Sequence, residues 1–99
     1  MKPKGRPKKI RLIQEVPKID QFSPRGKPGR PNEIELSIDQ FEAIRLVDYK
    51  GLRQSQAARQ MGLSRQTVGR ILKQAHKRIS DAIINGKIIR IFGGNIKIK

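Results

Sequence analysis

A chain of 99 residues with 35% apolar and 4% aromatic side chains has room for one small domain around a thin core. It has no Cys, which excludes disulfides and thiolate metal sites. Its formal charge is +15 and no apolar run approaches the ~18 residues of a membrane span, so the partners to weigh are polyanions rather than a lipid interior.

Residues 1–9, MKPKGRPKK, have no periodicity, two prolines and five basic side chains, and read as a disordered basic tail. Residues 10–16, IRLIQEV, are apolar β-formers and predict a short strand. Residues 17–33 carry Pro17, Pro24, Pro28 and Pro31 with Gly26 and Gly29, the composition of a loop. Ser37-Ile38-Asp39-Gln40 has the form of a capping box and opens the first helix. Asp39 lies in the first turn, where the helix dipole favours negative charge. Phe41, Ile44 and Val47, flanked by Ala43 and Leu46, mark its apolar stripe. Its end is expected near Tyr49 or Lys50, at Gly51. Asp39, Glu42 and Asp48 are expected to face solvent.

Gln54–Lys73, QSQAARQMGLSRQTVGRILK, reads as a helix-turn-helix. Ala57, Ala58 and Met61 form one face of a helix over 54–61. Gly62 supplies the left-handed residue that ends it, and Ser64 caps the next. Val68, Ile71 and Leu72 form the matching face of a third helix that starts at Arg65. Its stripe continues through Ala75, Ile79, Ala82 and Ile83 to a stop at Asn85-Gly86. The distal half is expected to bury that stripe against the first helix or a second subunit. KIIRIF (87–92) reads as a strand, Gly93-Gly94-Asn95 as a turn, and IKIK alternates after it. The expected pairing is a hairpin or, preferably, KIIRIF beside residues 10–16. The predicted fold is mainly α: a three-helix helix-turn-helix domain with short N- and C-terminal β-strands. Its parts are a tail (1–9), a strand and Pro/Gly-rich loop (10–35), the helical domain (36–85) and a C-terminal strand or hairpin (86–99).

Charge is distributed unevenly. Residues 33–51 hold five acids and two Lys/Arg, whereas residues 52–80 hold seven Lys/Arg and no acid. An acid-free stretch of that length points to a polyanion. Arg65, Gln66 and Arg70 lie where this motif reads base edges, since Arg pairs guanine and Gln pairs adenine with two hydrogen bonds each. Gln54, Ser55, Ser64, Thr67, Lys73, Lys77 and Arg78 are the candidate phosphate contacts. Gly69 costs ~1 kcal/mol inside a helix and implies either close approach of nucleic acid or close contact with the first helix. Gly5-Arg6-Pro7 with Lys8-Lys9 resembles an AT-hook, so Arg6, Lys8 and Lys9 are candidates for a minor-groove arm. The second Gly-Arg-Pro, at Gly29-Arg30-Pro31, reads as loop. His76 flanks the apolar stripe and reads as a surface histidine. No metal, cofactor or catalytic constellation is expected.

Glu42-Ala43-Ile44-Arg45-Leu46, Gln54-Ser55-Gln56-Ala57-Ala58 and Gly93-Gly94 together resemble the shared pattern of a family of small prokaryotic proteins of unknown function that are regarded as DNA-binding. The likeness covers about residues 36–94, and more loosely the basic N-terminus and Phe22-Ser23-Pro24. The helix-turn-helix is similar to region four of bacterial sigma factors. The resemblance implies a trihelical domain without a wing, no enzyme and no known target. This chain departs from the pattern at Arg53, where Ser or Thr usually caps the second helix. It departs also at Ser55 and Gln56, which replace acids, and at Val68, which replaces Phe. Some members carry a further C-terminal domain, whereas this chain ends five residues after Gly94. The expected function is a cytoplasmic, sequence-specific double-stranded DNA-binding protein, a homodimeric transcriptional regulator. The alternatives are an RNA-binding or ribosome-associated protein, and an adaptor that contacts RNA polymerase through the acidic first helix.

Overall fold

Ser37 holds extended backbone, and the Gln40 side chain reaches back to accept the Ser37 N–H at 3.0 Å, so the first helix starts as its capping box predicts. The computed structural model describes residues 9–26 and 31–98. α1 (Ile38–Ala43) continues into π-helical turns over Ile44–Tyr49 and gives way at Gly51, where φ is +78°. α2 (Gln54–Met61) and α3 (Arg65–Asn85) match the expected spans to within a residue. Both end on left-handed glycines, Gly62 and Gly86.

Five short strands accompany the helices: β1 (Arg11–Ile13), β2 (Gln21–Phe22), β3 (Glu33–Leu36), β4 (Ile88–Ile91) and β5 (Ile96–Ile98). β4 is central in a three-stranded sheet, antiparallel to β2 and parallel to β3. β5 runs parallel to β1, with Arg11 beside Ile96 and Ile13 beside Ile98. Both expected pairings of KIIRIF are therefore corrected: it forms neither a hairpin with IKIK nor a ladder with residues 10–16. The expectation missed β3. Glu33-Ile34-Glu35-Leu36 alternates, and it buries Ile34 and Leu36 while exposing both Glu side chains, but it is brief and follows the Pro/Gly-rich stretch.

Two apolar clusters meet at Ile44. The first joins Ala43 and Leu46 to Ala57, Ala58 and Met61 of α2 and to Val68, Ile71 and Leu72 of α3. The second joins Ala75 and Ala82 to Ile34, Leu36 and Ile91 of the sheet, with Phe41 and Ile79 against it. The distal half of α3 thus buries its stripe on the sheet and also, as expected, on Ile38, Phe41 and Ile44 of the first helix. Ile83, expected in that stripe, is instead 70% exposed. Some 70° of helical arc separates it from the middle of the buried face, and the sheet does not reach that far.

The largest correction concerns the acids of α1. Glu42 is 0% exposed and Asp39 is also buried. Arg45 Nε donates to Glu42 Oε1 at 2.8 Å and Arg45 Nη2 to Glu42 Oε2 at 3.0 Å, a two-point pair. The Gln14 N–H donates to Glu42 Oε2 at 2.9 Å, and Gln14 Oε1 accepts from Arg45 Nη2 at 3.1 Å. The hydrogen-bonded carboxylate raises the guanidinium pKa above its already high ordinary value. Asp39 Oδ2 lies 3.6 Å from Arg11 Nε. The residues around β1 are thus tied to α1 at two levels, and acids read as solvent-facing hold down the N-terminal arm. Asp48 alone of the three is exposed as expected.

The Gly93-Gly94 turn closes the same region. The Ile38 N–H, orphaned at the start of α1, donates to Gly93 O at 3.0 Å, and the Arg11 N–H donates to Asn95 O at 2.8 Å. Gly94 has φ +101°, and a Cβ there would lie 2.9 Å from Asp39 Oδ1.

Removing one member of the buried pair strands the other. Glu42→Ala is expected to destabilise the chain by about 3–5 kcal/mol, read from urea denaturation. The double variant Glu42→Leu/Arg45→Met should recover most of that loss. A double variant as unstable as the single one would show that the pair's own hydrogen bonds, not the uncompensated charge, set the cost.

Candidate nucleic-acid interface

The site is built on the turn between α2 and α3. Gly62, at φ +68°, reverses the chain with its N–H directed back to the end of α2, and the Leu63 N–H donates to Ala58 O at 2.9 Å. Ser64 then opens α3: its Oγ accepts the Thr67 N–H at 3.1 Å and lies 2.9 Å from Thr67 Oγ1. Val68, Ile71 and Leu72 bury one side of α3 against α2 and the first helix. The opposite side is fixed by that burial. Gln66, Arg70, Lys73 and Lys77 lie exposed on it, and Arg65 is exposed on the flank of the first turn. Steps of three and four residues carry Gln66, Arg70, Lys73 and Lys77 along a single stripe.

The predicted residues divide as follows. Arg65, Gln66 and Arg70 come together at the N-terminal end of α3, all exposed. Arg70 Nη2 approaches Thr67 Oγ1 at 3.4 Å. Gln54 and Ser55 are exposed at the start of α2. The Ser64 and Thr67 hydroxyls are engaged with each other and with the cap. Arg78 is exposed, and its Nη1 donates to Glu35 O at 3.2 Å, toward β3. Lys9 is exposed at the start of the described arm, while Arg6 and Lys8 lie outside the described residues. His76 Nε2 sits 2.6 Å from Asp48 Oδ2, joining α3 to the end of the first helix.

Electrostatics sharpen the picture. The ion pairs of the described residues use Arg11, Arg45, His76, Lys87 and Arg90 as cations. None uses Arg65, Arg70, Lys73 or Lys77. Asp81 interacts with Lys77 farther along the helix, but no described acid pairs with Arg65, Arg70 or Lys73, so the field in front of the N-terminal part of α3 is not cancelled locally.

Two details correct the sequence reading. Arg53 does stand at the N-cap of α2, and Ser55 does not take over one turn later. Gln56 Oε1 instead accepts the Arg53 N–H at 2.9 Å, the reciprocal half of a capping box that needs no hydroxyl at the cap. Gly69 faces neither open space nor the first helix: a Cβ there would lie 3.2 Å from Gln54 Oε1. One feature escaped the sequence reading altogether. Leu12 of β1 reaches the turn, where its Cδ1 would lie 3.5 Å from a Cβ at Gly62. The only signal for it was an apolar residue inside a short strand.

The chain is a small domain of three helices and a few short strands. It belongs to the family described as a protein of unknown function, DUF134, whose model matches residues 1–99. It is 53% identical over 91 residues to a UPF0251 protein of Prosthecochloris aestuarii, covering 91% of this chain and 59% of that protein. It is 50% identical over 99 residues to a UPF0251 protein of Methanococcus vannielii, covering 97% of this chain and 75% of the relative. A UPF0251 protein of Caldicellulosiruptor bescii is 46% identical over 90 residues, 91% of this chain and 63% of its own length. The chain therefore spans about three-fifths to three-quarters of these relatives. No solved structure matches it significantly. No described helix is long and apolar enough to cross a membrane.

Gly69→Ala tests the meaning of that glycine. The Cβ meets only the far end of an exposed glutamine, so the variant is expected to gain about 0.5–1 kcal/mol of helix stability in thermal denaturation. A loss of stability would mean that Gln54 cannot give way.

Proposed function

We propose that this chain binds double-stranded DNA sequence-specifically, as a transcriptional regulator, with the N-terminal part of α3 in the major groove. The observation that carries the reading is the exposed cluster of Arg65, Gln66 and Arg70, without acidic partners, on a helix locked by a glycine turn, a serine cap and two apolar clusters. Arg and Gln recognise purine edges with paired hydrogen bonds, and the rigid mounting gives those bonds a fixed register. Lys73 and Lys77 continue the stripe and suit phosphates, as do Gln54 and Ser55 at the start of α2. The basic residues ahead of Lys9 follow the backbone or the minor groove.

The polymerase-adaptor alternative loses support from the fold. It needs an acidic surface on the first helix, but Asp39 and Glu42 are turned inward onto Arg11 and Arg45. The single exposed acid there, Asp48, lies against His76.

Selection from a random duplex pool is expected to return a consensus, with affinity falling by a slope of ~0.9 in log–log salt dependence per phosphate contacted. Arg65→Ala, Gln66→Ala or Arg70→Ala should each relax one position of that consensus, at a cost of about 1–3 kcal/mol. Lys73→Ala should weaken all sequences alike and lower the salt slope by about 1. Equal affinity for every duplex, with tighter binding to structured RNA, would overturn the reading in favour of an RNA partner.

A further inference from the structure

Apolar side chains on one face of the molecule have no cover among the described residues. Phe22 is 53% exposed and lines two adjoining grooves. One groove continues to Ile83 at the end of α3, and the other continues to Val16 and Ile19 in the arm. Together these four side chains present roughly 400 Å² of apolar surface, the size of patch that marks an interaction site on a small monomer.

From this strip we infer that a second copy of the chain docks on it, two-fold symmetrically, with Phe22 and Ile83 at the centre of the interface. Charge selects this occupant and this face. Two chains of charge +15 repel each other wherever their unpaired cations meet. Around the strip the described acids and bases offset each other in number: Glu15, Asp20 and Asp81 stand against Lys18, Arg25 and Lys87, and Lys87 Nζ lies 2.9 Å from Asp81 Oδ2. The Lys87 and Asn85 hydrogen bonds hold the Asp81 carboxyl below the usual carboxylate range, so it stays ionised beside its partner.

A further consequence rests on the DNA-binding reading. Two-fold symmetry of the dimer makes the bound sequence an inverted repeat, one half-site for each α3.

Sedimentation velocity on the full chain at 0.5 M salt, without DNA, tests the interface alone. The wild type is expected at twice the monomer mass at high micromolar concentration. Ile83→Asp and Phe22→Asp should each sediment as monomers with unchanged far-UV circular dichroism. Tyr49→Asp, at a side chain 84% exposed on the first helix, should stay dimeric. A wild type monomeric at every concentration, or an Ile83→Asp/Phe22→Asp double variant still dimeric, overturns the interface. On DNA, the Ile83→Asp variant should bind a single half-site as the wild type does but lose about tenfold or more on the paired site. A wild-type dimer that shows no sequence preference would leave the interface standing and remove only the DNA reading.

Discussion

A carboxylate with no exposure to water, held at two points by an arginine three residues along the same helix, is the constraint on which the rest of this fold depends. Glu42 and Arg45 satisfy each other, and Gln14 bonds to both of them. That last step matters most. The arm makes few apolar contacts of its own, and Ile13 is its one fully buried side chain. Polar bonds to a buried charge cannot be exchanged for water without desolvation loss, so they hold the arm in one register. With the arm fixed, β1 offers β5 an edge, and Leu12 closes over the turn between α2 and α3. Both ends of the described chain are thereby fastened to the first helix.

The same pairings shape the field outside. The sequence has 8 acids against 23 Lys and Arg. Glu42 and Asp39 point inward, Glu15 faces Arg45, and Glu33 and Asp81 are matched on the sheet side. What is left over on α3 is positive. Separation of sign, rather than total charge, distinguishes an oriented electrostatic surface from a merely basic protein.

Much of the helical frame was legible because its signals are local. Gly62, Ser64 and Gly86 each act within a few residues, through positive φ or one side-chain hydrogen bond, and α2 and α3 fall where those residues put them. The strand order was not legible. Parallel pairing of β3 with β4 joins residues more than fifty positions apart, and no periodicity announces a partner at that distance. Nor was the burial of Asp39 and Glu42. An acid on an amphipathic helix is usually solvated, and only the approach of Arg11 and Gln14 from the distant arm reverses that rule. Of the candidate site, the exposure of Arg65, Gln66 and Arg70 was legible from the helix start and the apolar stripe. The surroundings of Arg78 and Gly69 were not, because their neighbours, Glu35 and Gln54, belong to other elements.

Helix α3 joins these threads because its two halves have different supports. The N-terminal half is packed on α2 and the end of the first helix, the C-terminal half on the sheet and the start of the first helix. A helix of 21 residues held on separate platforms behaves as a rod of about 31 Å. Whatever fixes one end therefore fixes the other in angle as well as in position. Long-range charge can bring such a surface to a polyanion, but it cannot choose among sequences, since every phosphate backbone presents the same charge. Discrimination needs donors that arrive at a set depth and angle, and a loosely mounted helix would spend that advantage on its own motion. The buried pair beneath α1, remote from every candidate contact, bears on specificity through this route: it holds the arm that closes over the turn from which α3 departs.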